Sequence, residues 1–184
     1  MQGRARLEGL LAAALEAGLV VDAAVAQSLA QSRALWQLRE SIPLAQAQEG
    51  LNIKHDIGVP LSQMAAFVES TAELVQQAIP GARLVVFGHL GDGNLHYNVQ
   101  APLGADPARF LRAHEATCNR IVFDAAAACG GTFSAEHGIG QLKRDELARY
   151  GDAVAVAQMR AIKQALDPQN LMNPGKVLPD RPGA

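Results

Sequence analysis

The 184-residue sequence predicts an α+β fold, an antiparallel-containing sheet with helices packed on one face. Three observations carry that expectation. Segments with apolar residues at helical spacing alternate with a few short segments of period two. Gly91-Asp92-Gly93-Asn94 stands between the apolar runs 84–90 and 95–100, and an Asp-Gly pair in that setting is a strong local hairpin signal. No internal repeat or low-complexity linker divides the chain, which reads as a single domain over residues 1–184.

The first helix is expected on Leu7, Leu10, Leu11, Ala14 and Leu15, with Gly18 as its stop. Asp22 is expected to cap a second helix, which carries Val25, Leu29, Leu35, Trp36 and Leu38 and ends before Pro43. The period then changes. Leu51, Ile53, Ile57 and Val59 take odd positions together with His55, and Asn52, Lys54 and Asp56 take even ones, the pattern of a half-buried strand with a polar face. A helix from Ser62, apolar at Met64, Phe67, Val68, Leu74 and Val75, closes at Pro80-Gly81. After the hairpin, Asp106-Pro107 opens a helix through Phe110, Leu111, Ile121 and Val122 that stops at Gly130-Gly131. A helix pair then runs to Leu166, and residues 167–176 are rich in turn formers.

Hydrophobic residues make up 49% of the chain and charged residues 18%, a globular balance that excludes wholesale disorder and collagen-like or disulfide-scaffold architectures. A net charge of −2 leaves no basic excess to neutralise phosphates, so nucleic acid is not an expected partner. The apolar stretch 7–30 is broken by Glu8, Glu16 and Asp22, which argues against a transmembrane segment, and the first residues lack a signal-peptide core. Cys118 and Cys129 lie in one expected helix, roughly 16 Å apart along its axis, and cannot pair there. Free thiols suit a reducing compartment, and the location expected is cytoplasmic.

If the hairpin turns symmetrically about Asp92 and Gly93, His89 stands directly opposite His96. Both imidazoles then share a face with Phe87, Asn98 and Gln100, while Leu84, Val86, Tyr97 and Val99 take the other. Cβ atoms about 4.5 to 5.5 Å apart allow two imidazoles to share one metal ion, and spacing alone leaves a solvent-facing His pair equally open. A catalytic zinc takes about three protein ligands. The remaining ligand-rich cluster is Glu136-His137, between Gly130-Gly131 and Gly138-Ile139-Gly140. Glu136 as third ligand leaves His137 free as a general base; the other reading is a helix N-terminus whose carboxylate favours the dipole. His55 and His114 read as core or surface histidines, and Gly91-Asp92-Gly93 lacks the Lys-Ser/Thr of a phosphate loop.

The stretches Gly88-His89-Leu90-Gly91-Asp92-Gly93-Asn94-Leu95-His96, Ser134-Ala135-Glu136-His137-Gly138-Ile139-Gly140 and Asn173-Pro174-Gly175-Lys176 resemble signatures of one family. It is that of the FAD-linked oxidases of the vanillyl-alcohol oxidase and p-cresol methylhydroxylase type. The resemblance is to the C-terminal domain of their D-2-hydroxyacid branch, which takes in D-2-hydroxyglutarate dehydrogenase, D-lactate dehydrogenases and the flavin subunit of glycolate oxidase. It covers residues 38–179 and implies a ferredoxin-like cap domain. It implies that His89, His96 and Glu136 hold a divalent metal, commonly zinc. His137 would take the hydroxyl proton of a D-2-hydroxy acid while hydride passes from the α-carbon to flavin N5, giving the 2-oxo acid. Arg39 and Lys54 would bind the substrate carboxylate, Asn98 would lie in the same site, and Asn173 and Lys176 would contact the flavin. Read as residues alone, Arg39 is a helix-end cation, Lys54 a sheet-face lysine and Asn-Pro-Gly a turn.

No stretch resembles the glycine-rich pyrophosphate-binding segment of the family's N-terminal FAD-binding domain. The chain is therefore expected to be a fragment, inactive alone, with FAD bound mainly by that domain or by a separate subunit. A face bearing Lys54, His89, His96, Asn98 and Gln100 calls for a cover, either the FAD-binding partner or the mate in a homodimer. An electron-acceptor partner would bring such an enzyme to the periphery of the inner membrane. Two further readings stand beside this one: a stand-alone metal-binding interaction module, and a metal-dependent hydrolase, since two His, one Glu and a spare base also suit water activation.

Overall fold

The computed structural model describes residues 2–179, which divide after Gly50 into two compact units. The first unit holds α1 (Gln2–Glu16), α2 (Leu29–Glu40) and α3 (Ile42–Gln48). Ser28, not Asp22, caps α2. The Ser28 hydroxyl accepts the Gln31 N–H at 3.2 Å, and the Gln31 side chain reaches back to the Gln27 N–H at 2.7 Å, a reciprocal arrangement close to a capping box. Asp22 instead accepts the N–H of its neighbour Ala23, and residues 22–26 form neither helix nor strand. Pro43 does more than follow the end of α2: it opens α3, where a missing N–H costs nothing. Leu10, Leu19, Trp36 and Leu38 are exposed in this unit, and Gln46 is its one buried residue among those described.

The second unit contains β1 (Asn52–Gly58), α4 (Met64–Ala78), β2 (Arg83–His89), β3 (Asn94–Gln100), α5 (Pro107–Ala128), α6 (Arg144–Tyr150) and α7 (Ala153–Leu166). A single 3₁₀ turn, Leu61–Gln63, precedes α4, so the helix starts slightly later than its first polar residue suggests. The strands lie in the order β1-β3-β2, every pairing antiparallel. Asp106 caps α5 through the Ala108 and Arg109 N–H groups, with Pro107 in the first turn. Apolar side chains of one sheet face, Ile53, Ile57, Tyr97 and Val99 among them, pack with Phe67 and Val75 of α4 and Val122 and Phe123 of α5 into one core. The period-two alternation leaves the opposite face polar. Cys118 is buried in α5, Cys129 caps that helix, and both are free thiols. Among the described residues no helix is long and apolar enough to cross a membrane.

The hairpin register departs from the symmetric expectation by two residues: His89 pairs with Asn94, and Phe87 pairs with His96. The loop is residues 90–93, centred between Gly91 and Asp92. The cause lies at Gly93, whose carbonyl accepts the Val59 N–H at 2.9 Å at the end of β1. Gly93 has φ +81°, and a Cβ there would stand 2.3 Å from the Val59 carbonyl oxygen. Pinned in this way, Gly93 belongs wholly to the loop and the ladder begins at Asn94. A slip of two residues preserves facing, so His89 and His96 still share a face but meet diagonally.

Candidate metal and catalytic site

The polar sheet face gathers most of the expected site. β1 sets Lys54 opposite Asn98 and Asp56 opposite His96, while β2 supplies Phe87 and His89. The loop after α5 closes over this face because Gly58 and Thr132 exchange N–H···O bonds of 3.0 and 2.8 Å at the end of β1. Gly131 permits that approach: a Cβ there would come within 2.3 Å of the Gly58 carbonyl oxygen. Glu136-His137 therefore stands in an open loop, which replaces the helix-turn reading of this pair.

Asp56 holds the loop. Its Oδ2 accepts the successive backbone N–H groups of Ala135, Glu136 and His137 at 3.2, 2.9 and 2.8 Å. Its Oδ1 accepts the Asn94 side-chain amide at 3.0 Å. Burial of this 2%-exposed carboxylate acts to raise its pKa, but the N–H groups of His137 and Glu136, with the charges of His137 and Lys143, together hold the carboxyl below its ordinary value. Lys143 donates to the Phe133 carbonyl at 3.3 Å and the Ser134 hydroxyl at 3.0 Å in the same loop. Burial lowers the Lys143 pKa, and attraction to Asp56 works against that.

With the loop so held, the Glu136 carboxylate lies between the two histidines. Its Oε1 is 3.4 Å from His89 Nδ1 and its Oε2 is 3.6 Å from His96 Nε2. Tetrahedral zinc with bonds of 2.0–2.1 Å has ligand-to-ligand edges of about 3.3 Å, so each His–Glu pair stands near that edge. The two pairs use different carboxylate oxygens, and closing all three groups on one ion requires the side chains to draw together. Asp56, His96 and His137 also bring ligand atoms within 4.8 Å of one another. This is the one group of three among the described residues that stands that close, and in it Asp56 Oδ2 already serves three N–H groups. The His137 ring lies 5.9 Å from the His96 ring with Nδ1 3.7 Å from Asp56, and 63% of its side chain remains exposed. It is beside the donor set and open to a substrate.

Lys54 is exposed on the site face and Asn98 is buried there. Arg39 lies half-buried on α2, in the first unit. Asn173 and Lys176 lie in the turn-rich segment after α7, where Lys176 donates to Gln141 and both residues line a polar pocket of about 240 Å³ with Arg144, Arg160 and Lys163. A pocket of that size is too small for a dinucleotide, so a flavin could meet it only at one edge. His55 is a core residue, with Nδ1 2.6 Å from the Tyr97 carbonyl and Nε2 2.9 Å from the Asn119 amide oxygen. His114 packs on Phe110 within α5. Sequence reasoning missed Asp56, Asn94 and Lys143. The available signal was Asp56's place on the same strand face as Lys54, with a glycine-rich loop elsewhere whose N–H groups needed an acceptor.

Over residues 2–177 the sequence matches the family described as FAD linked oxidases, C-terminal domain. It is 42% identical over 163 residues to a D-2-hydroxyglutarate dehydrogenase of Xanthomonas citri pv. viticola, an overlap of 89% of this chain and 34% of that protein. Identity to the D-2-hydroxyglutarate dehydrogenase of Stutzerimonas stutzeri is 37% over 163 residues, 89% of this chain and 35% of the relative. The mitochondrial D-2-hydroxyglutarate dehydrogenase of Arabidopsis thaliana is 35% identical over 176 residues, 96% of this chain and 30% of its own length. The chain spans about a third of the length of these curated relatives. With the match running through both units and every strand of the site, the chain belongs to the FAD-linked oxidases, in the part that forms their C-terminal domain.

Proposed function

We propose that this chain is the substrate- and metal-binding part of an FAD-dependent dehydrogenase that oxidises a D-2-hydroxy acid, of the D-2-hydroxyglutarate type, to the 2-oxo acid. The observation that carries the reading is the Glu136 carboxylate standing between His89 and His96 of one sheet face, with His137 beside them. His89, His96 and Glu136 hold a divalent ion, zinc by preference, which when bound supplies Lewis-acid polarisation of the substrate oxygen. His137 accepts the hydroxyl proton, a role its exposed ring permits. Lys54 binds the substrate carboxylate, Asn98 opposite it on β3 lies in the same site, and Arg39 supplies a second cation to the carboxylate. FAD, when bound, supplies the acceptor for the hydride of the α-carbon. Most of that cofactor is held by an FAD-binding domain or subunit, which covers the polar face, while Asn173 and Lys176 touch one edge. The free thiols favour a reducing compartment for the assembly.

The test is to join the chain to a complete FAD-binding domain and assay D-2-hydroxyglutarate, D-lactate and glycolate with an artificial electron acceptor. His137→Ala is expected to lower turnover by about 10²- to 10⁴-fold. Full activity in that variant would remove His137 from the role of base. Metal analysis of the 184-residue chain should find about one ion per chain, lost in His89→Ala. Equal metal content in the two proteins would remove the hairpin from the metal site.

A further inference from the structure

We infer that Asp56 is the positioning residue of this site, a buried carboxylate that sets the geometry of Glu136 and His137 without itself touching metal or substrate. The functional part of this inference rests on the roles proposed above; the structural part stands on its own geometry. Residues 134–139 form neither helix nor strand, so the N–H groups of Glu136 and His137 have no ladder partners, and that of Ala135 is shared between the carbonyl and the carboxylate of Asp56. All three converge on one oxygen of Asp56. Three N–H groups of a turning backbone form an anion-binding concavity, and the chain fills it with its own carboxylate.

The same side chain also ties in the hairpin. Asp56 is the cross-strand partner of His96 on β3, and its second oxygen holds Asn94, the cross-strand partner of His89 on β2. One carboxylate thus links the loop that carries Glu136 and His137 to β3, which carries His96 and pairs with His89 through Asn94. A further tether, from the Ala135 N–H to the Asp56 carbonyl at 3.2 Å, keeps the loop in line with β1. Lys143 supplies the opposite charge from the far side of the loop. An asparagine keeps one acceptor oxygen for the loop but turns its NH₂ toward the Asn94 amide, which must rotate, and it loses the negative charge that the three N–H groups surround. A glutamate would push the loop outward by one methylene.

The alternative is that Asp56 is itself a ligand, in company with His96 and His137. A direct ligand and a positioning residue differ in what their loss does to the metal. Cobalt(II) serves as the probe, added to the metal-free 184-residue chain and to Asp56→Asn, with amide hydrogen exchange followed in both. In the wild-type chain without metal, the amides of 135–137 are expected to be protected. In Asp56→Asn that protection falls by at least about tenfold while Tyr97 and Val99 stay protected. Cobalt affinity falls by about 10- to 100-fold, as for other outer-shell partners of metal ligands. The visible bands keep their energies, because the two imidazoles and Glu136 still ligate. Bands that move as for a lost ligand would assign Asp56 to the metal and overturn the inference. Unchanged affinity and exchange in the variant would overturn it as well. If the wild-type chain takes up no cobalt, the metal reading fails and the exchange pattern alone decides the role of Asp56. If the variant does not fold, the wild-type amides decide it: open-loop exchange rates at 135–137 would overturn the inference.

Discussion

His55 and His137 are the same side chain in opposite surroundings, one 1% exposed in the core and the other with 63% of its side chain in solvent. His55 Nδ1 faces a backbone carbonyl, so a neutral ring must carry its proton there and present a bare Nε2 to Asn119. That requires the Asn119 amide to turn its nitrogen toward the ring. Burial drives the His55 pKa from 6.5 down to about 4, against the opposing effect of its bond to the Tyr97 carbonyl. Below pH 6.5 the unfolded chain takes up a proton at His55 that the folded chain refuses, so stability falls on acidification between pH 6.5 and about 4. The loss across that window is about 3 kcal/mol, and below it this group contributes no further slope. Asp56 acts in the same direction at lower pH, since its folded carboxyl lies below 3.8 and its contribution disappears as that group protonates. Urea midpoints measured from pH 7 to 4 should therefore drop steadily in the wild-type chain and much less in His55→Gln. Equal slopes for the two proteins would show that the ring is protonated in the core.

At the scale of the element, the hairpin shows how one contact sets a register. Gly91 and Gly93 flank the same aspartate, yet a Cβ at Gly91 meets nothing within 4 Å, whereas one at Gly93 meets the Val59 carbonyl oxygen with φ in the left-handed region. Gly93→Ala is expected to cost at least about 2 kcal/mol, and Gly91→Ala to stay within about 0.5 kcal/mol, in urea denaturation. Equal costs would mean that the contact with β1 does not fix the loop. This contact also marks where the sequence stopped being legible. The alternation over 51–59 and the apolar runs around Asp92 were enough to assign the strands, their faces and the company of His89, His96, Lys54 and Asn98. Nothing local to the hairpin reports that β1 reaches over to Gly93, so a symmetric turn about Asp92 and Gly93 lies one position later than the observed centre. Asp56 was hidden for a similar reason: its four donors come from Asn94 and from residues about 80 positions away, and sequence spacing carries no trace of them. Ser28 was masked by Asp22, an equally good capping residue with no glutamine three places on.

Across the whole molecule, the apolar core and the candidate site draw on different parts of the chain than the exposed apolar surface of the first three helices. Every residue of the core cluster lies at Ile53 or beyond, as do His89, His96, Glu136, His137 and the Asp56 hub. In the first unit Leu10, Leu19, Val21, Trp36 and Leu38 are all more than half exposed, and α1 and α2 contain no buried residue among those described. Burial of apolar area is the main favourable term in folding, so the cooperative transition should belong to the second unit. A chain beginning at Leu51 is accordingly expected to unfold in a single transition within a few degrees of the 184-residue chain, and to retain amide protection at Tyr97, Val99 and residues 135–137. Binding of a hydrophobic dye should fall at the same time, because α1 and α2 take their exposed leucines with them. The shortened chain should also keep its metal affinity, since the donor set and its support are intact, while losing Arg39 and with it part of the proposed grip on the substrate carboxylate. Joined to an FAD-binding domain through the shortened end, it would then show a raised KM with a smaller change in kcat. A non-cooperative or unfolded product would instead show that the first unit is part of the folding core, despite contributing no buried apolar side chain to it.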